Sequence, residues 1–217
     1  MSRISRKNFT LIFMIVAAAF LVLPGATKDD VMSTKLWPRE SRAAAGKMIK
    51  LYGKPDVESG TFLVWNNRGP WDRITVSRTG VLHRFPFEHF DVVEHTLAYR
   101  VPEEKLDDLI MFDGSLLIDR TRGTVSARCD DESSNVLAIN LAHDIATGRR
   151  SVSDARLAYA LIARDKLNGA DPESMKQLSF TADLHTSDPD VNITGLTGQR
   201  PAQVRRKWFS RFIAGGN

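Results

Sequence analysis

Residues 9–23 form an unbroken apolar run, Phe9 to Leu23 with Thr10 its one polar member, directly behind Arg3, Arg6 and Lys7. A run of this kind behind a cationic flank reads as a bilayer or export segment rather than a core helix. It therefore removes residues 1–26 from whatever globular unit the rest can build. About 15 residues of helix rise roughly 22 Å, short of the ~30 Å hydrocarbon core. Ile4–Asn8 and Pro24–Ala26 lengthen the span, with Arg6 and Lys7 snorkelling to the head groups.

A cleaved signal peptide needs small residues at both recognition positions before the cut. A cut after Ala26 sets Pro24 at the farther position, and a cut after Gly25 sets Leu23 there. Retention as a single-pass signal-anchor is thus the preferred reading. Release as a soluble periplasmic or secreted protein is the alternative. Cations resist translocation, so the N-terminus is expected in the cytoplasm and everything after Ala26 on the extracytoplasmic side.

Cys129 is the single cysteine. It excludes an intramolecular disulfide, a CxxC motif and a CxxCH haem attachment, and no cysteine lies near the end of the apolar run, where one would have to stand to carry lipid. Folding must rest on burial, which a chain of this length can supply. The net charge of +4 is an uneven sum. Three cations belong to the targeting segment and five to a tail without acids, Arg200, Arg205, Arg206, Lys207 and Arg211; the body between carries 22 basic against 26 acidic residues. No nucleic-acid partner is expected of such a body.

Beyond a short linker, 27–37, the patterning predicts an α+β domain over 38–180 with an antiparallel sheet in two hairpin-like units and packed helices. A first helix is expected from Pro38 to Tyr52, closed by Gly53. Strands follow at Thr61–Trp65, Ile74–Ser77, Val81–Phe85 and Val92–Val101, with Arg78-Thr79-Gly80 as the reversal of a first hairpin. In the last strand Val93, His95 and Leu97 share one face, while Glu94, Thr96 and Ala98 share one expected to be largely wet. Pro102-Glu103-Glu104 opens a helix that Gly114 ends. Ser115–Asp119 and Thr124–Cys129 make a second hairpin around Arg120-Thr121-Arg122-Gly123. Helices from Ser133 to Thr147 and Val152 to Asn168, and a short one over Pro172–Leu178, complete the domain. Residues 181–200 read as an irregular wrapping segment, and 201–217 as a basic amphipathic tail.

Several residue groups could carry function. His83, His89 and His95 recur at six-residue intervals beside Asp91 and Glu94, which superficially resembles a ligand list. Equal spacing across a turn gives no reason for convergence, so neither a metal nor a cofactor is expected. His95, between Val93 and Leu97, reads first as a core histidine and second as a base opening onto a pocket. Cys129 ends a strand ahead of a helix, yet Asp130, Asp131 and Glu132 beside it disfavour a thiolate. Those acids could instead work with His143, which shares a helix neighbourhood with Asn140 and Asp144. His95, Asp130, Asp131, His143 and Asp144 are accordingly the catalytic candidates.

The segment Asn66-Asn67-Arg68-Gly69-Pro70-Trp71-Asp72-Arg73 concentrates amides, guanidiniums and an indole, the side chains favoured at contact hot spots. Asn67, Arg68, Trp71 and Arg73 are the first interaction candidates. In the tail, Trp208, Phe209, Phe212 and Ile213 share one helical face flanked by cations, a pattern suited to anionic lipid or to docking. No phosphate loop, HxxxH zinc signature, GxSxG elbow or EF-hand occurs in the exported part. The leading reading is a membrane-tethered extracytoplasmic interaction domain, an accessory subunit with a protein partner in the cell envelope. An envelope hydrolase with a His/Asp site, and a ligand-binding domain without catalysis, are the alternatives.

Overall fold

Alternation along His89–Ala98 places Asp91, Val93, His95 and Leu97 on one buried face, and this strand, β4, is the centre of the sheet. The computed structural model describes residues 34–182, 186–188 and 190–195. The N-terminal apolar run and the basic tail with Trp208, Phe209 and Phe212 lie outside the described residues. No described helix is long and apolar enough to cross a membrane.

The other strands are β1 (Val57–Glu58), β2 (Phe62–Arg68), β3 (Trp71–His83), β5 (Leu116–Asp119) and β6 (Thr124–Cys129). They form one antiparallel sheet in the order β1-β2-β3-β4-β6-β5. With helices α1 (Arg39–Tyr52), α2 (Leu106–Phe112), α3 (Glu132–Ala146) and α4 (Val152–Leu167), the architecture is α+β. The core gathers Trp65, Trp71, Ile74, Leu97, Phe112 and Leu137, all nearly or wholly inaccessible.

One expected turn is absent. Residues 78–80 do not reverse the chain; β3 runs through them, with a register shift in which Ser77 to Gly80 stand opposite the single residue Val92. Gly80 serves close approach rather than turning: a Cβ there would lie 2.9 Å from Val92 Cγ1 and 3.0 Å from Phe90 Cβ. The bulged backbone is used, since Ser41 Oγ of α1 donates to Arg78 O and Arg78 N–H donates to Thr61 O. The actual reversal lies at Gly69-Pro70, between the paired residues Arg68 and Trp71, with Asn67 (φ 53°) and Gly69 (φ 57°) left-handed. The second hairpin forms as expected, Asp119 opposite Thr124.

The far face of β4 is drier than alternation suggests. Thr96 is buried and bonds Ser126 Oγ at 2.8 Å across to β6. Helix α3 is the most enclosed, burying Asn135 to Ala142 without interruption. Asp131, not Ser133, caps it, accepting from Ser134 N–H at 3.0 Å. Ser151 caps α4 by accepting from Asp154 N–H. The short helix after α4 shrinks to a 3-10 turn at Glu173–Met175. Buried Asn140 holds this stretch, donating to Ser174 O and Gln177 O and accepting from Ser179 N–H.

Candidate functional site

The β2–β3 turn is braced from within. Asp56 accepts from Asn66 N–H at 2.6 Å and pairs with Arg68 Nη2 at 2.7 Å, and these bonds, the backbone one first, hold its carboxyl below the usual carboxylate range. Arg68 is thereby engaged, and Arg73 faces Glu94 at 3.7 Å. Trp71 departs from its reading as an exposed contact residue. It is 2% exposed, its ring lies 4.7 Å from that of His95, and its indole N–H donates to Glu132 Oε1 at 2.8 Å. Strand alternation does not account for this burial, since exposed Asp72 and Arg73 separate Trp71 from buried Ile74; its contacts with His95 and Glu132 enclose it at the start of β3.

Glu132 is the one acid of the Asp130-Asp131-Glu132 run that is absent from the catalytic and interaction candidates. Its Oε1 accepts from both Trp71 and Tyr52, and the burial of Tyr52 together with this carboxylate raises the phenol well above its ordinary range. The side chain retains 20% exposure. It forms part of a groove of about 670 Å³ whose walls include Asn67, Pro70, Asp72, Gln177 and Phe180. Of the four interaction candidates only Asn67 and Trp71 line this groove. No local pattern could have marked Glu132, because its partners come from α1 and β3.

The catalytic candidates are dispersed, each with its own partners. His95 is fully buried; Asn135 Nδ2 donates to its Nδ1 at 2.8 Å, and burial depresses it to about 3, so it is neutral at physiological pH. Its Nε2 is 3.9 Å from Glu132 Oε1 and has no hydrogen-bond partner. Asp131 is gripped by Lys166 Nζ at 3.0 Å as well as by its cap bond; burial opposes its charge, but Lys166 and the amide outweigh it and hold the carboxyl below the usual range. Asp130 is 3.4 Å from Cys129 Sγ. His143 bonds Tyr99 at 2.8 Å and stacks on Phe180 at 4.1 Å, with burial pushing it down. Asp144 is clamped by Arg149 and Arg150 at 2.9 and 2.8 Å. Burial above all pushes the Cys129 thiol up, although His89 Nε2 is 3.2 Å away.

The register of β3 against β4 does bring two of the three spaced histidines together. His83 pairs with His89, and with Asp91 they are the one group among the described residues close enough to share a metal ion; His95 stands apart, at the Trp71 end of the strand. The chain matches no protein-family model, and neither a curated protein nor a solved structure shows significant similarity to it.

Proposed function

We propose that this chain is a membrane-tethered extracytoplasmic interaction domain, an accessory subunit of an envelope complex, which receives a segment of its protein partner in the groove beside the β2–β3 turn. The observation that carries this reading is the carboxylate in that groove. Glu132 is held from behind by Trp71 and Tyr52 and still reaches solvent. An acceptor fixed in advance loses little freedom when a donor side chain docks on it. Pro70 and Phe180 add apolar wall, while Asn67, Asp72 and Gln177 supply polar partners. The anchor at 1–26, the cytoplasmic N-terminus and the lipid-facing tail at 201–217 belong to the same proposal, on the strength of the sequence pattern alone. The hydrolase alternative is weakened because its acids and imidazoles face different partners.

The test is a photoreactive residue placed at Asn67 or at Gln177 of the full-length chain in its own membranes, with Arg150 as the control position. Adducts to one common protein from both groove positions, absent from the control, are expected. Adducts from the control alone, or a C-terminal reporter active only in the cytoplasm, would overturn the reading. A groove that binds small molecules and yields no protein adduct would favour the ligand-binding alternative.

A further inference from the structure

The corner where β3 meets β4 holds an arrangement that neither the groove nor the core requires. Asp91 is 5% exposed, and its Oδ1 accepts no hydrogen bond, yet two imidazole nitrogens stand over it: His89 Nε2 at 3.1 Å and His83 Nδ1 at 3.6 Å. Asp113, equally buried, lies 3.7 Å from His83 Nε2. No Lys or Arg among the described residues pairs with either acid. Two carboxylates so far from water need positive charge nearby.

From this geometry we infer that His83, His89 and Asp91 form a binding site for one divalent transition-metal ion of the zinc class. Metal–ligand bonds of about 2.0–2.1 Å in a tetrahedron put ligand atoms about 3.3 Å apart. The two separations to Asp91 bracket that value, and all three ligand atoms fall within 4.8 Å of one another. The outer contacts are those of ligating groups. A ligating imidazole presents its other nitrogen to a carbonyl or a carboxylate. His89 Nδ1 is 2.8 Å from Phe87 O, and His83 Nε2 faces Asp113. The second oxygen of Asp91 accepts from Ser115 Oγ. Imidazole with carboxylate suits zinc and its neighbours rather than calcium or magnesium, which take oxygen sets. Three protein ligands leave a fourth position for water or an external ligand. Cys129 Sγ, 3.2 Å from His89 Nε2, is the nearest thiol to it. Binding displaces any proton held on the ligating nitrogens, so it releases protons and weakens in acid.

The site differs from the expectation of no metal, and it stands whether or not the groove binds a partner. The test strips the detergent-purified full-length chain with a chelator, then titrates it with zinc chloride and, separately, cobalt chloride. One ion per chain is expected, with a tetrahedral cobalt spectrum and an X-ray absorption edge for bound zinc fitted by two imidazoles and oxygen. A sulfur scatterer would place Cys129 in the fourth position. The double variant H83Q/H89Q is expected to lose binding by more than a hundredfold, and Asp113→Asn, which touches only an outer contact, by about tenfold. Absence of stoichiometric binding in the unaltered chain, a fit without imidazole, or unchanged binding by a folded double variant would each overturn the inference. If the double variant fails to fold, the absorption fit on the unaltered chain decides.

Discussion

The two ends of β4 carry the same residue type in opposite conditions. At one end His95 is enclosed by Trp71, Asn135 and Glu132, and burial keeps it neutral down to about 3. At the other, burial also works against charge on His89, but Asp91 and Cys129 overcome it and lift the group to about 11. Desolvation acts on both rings; the neighbours decide the outcome. The first end makes a polar core that fixes Trp71 and Glu132 beneath the groove. The second gathers two imidazoles and two buried acids around Asp91 Oδ1, which accepts no hydrogen bond.

The largest effect expected at the His95 end comes from Trp71→Ala. It opens a cavity in the core and removes one donor from Glu132, at a cost of about 3–5 kcal/mol. Denaturant unfolding would show it, and a loss under about 1 kcal/mol would mean that Trp71 does not anchor this end.

Next is the pH dependence of His95. Its folded pKa lies below the unfolded value of about 6.5, so the unfolded chain binds more protons between about 3 and 6.5. The contribution is complete above pH 6.5 and is lost as pH falls, by up to about 1.4 kcal/mol per pH unit. In His95→Gln the slope between pH 6.5 and 4.5 should flatten by that amount relative to the parent chain, both measured metal-free so that the other titrating groups cancel in the comparison. An unchanged slope would break the comparison.

Gly80→Ala probes what separates the ends. The new methyl meets Val92 and Phe90, and relieving the clash should cost about 1–3 kcal/mol. The register that sets His83 opposite His89 depends on the same bulge. Zinc affinity should therefore fall more than His95-linked acid sensitivity changes, a split that paired titrations would reveal. The smallest effect belongs to Asp131→Asn, which keeps a capping acceptor but loses the charge paired with Lys166, for about 1 kcal/mol. Because the Asp131 carboxyl is held low in the folded state, its contribution is present above about pH 4 and fades as pH falls below it. The difference between variant and parent should shrink correspondingly in acid.

What the sequence makes legible follows range. Ser151 with Asp154, Gly53 after Tyr52 and the turn at Arg120–Gly123 are local signals, and the helices and the second hairpin form where those signals stand. The glycine of Arg78-Thr79-Gly80 misleads because close strand approach and chain reversal both select glycine, and only the neighbours Phe90 and Val92 tell them apart. Trp71 reads as a contact residue because it lies in the polar stretch Asn66–Arg73, yet only Gly69-Pro70 makes the turn and pairing already resumes at Arg68 and Trp71. Glu132 acquires its place from Tyr52 and Trp71, 80 and 61 residues away. Asp91 is visible as an acid among histidines, but its unbonded oxygen is a property of packing alone.

The most direct measurement of the difference between the two ends is nuclear magnetic resonance of the full-length chain with nitrogen-15 in its histidine rings, followed across pH with and without zinc. His95 should show a single neutral tautomer, protonated on Nε2, from pH 8 to about 4 and should not respond to the metal, while the ring nitrogens of His83 and His89 should shift on adding one equivalent of zinc. A His95 signal that titrates near 6.5 or moves with zinc, or His83 and His89 signals indifferent to the metal, would contradict the account.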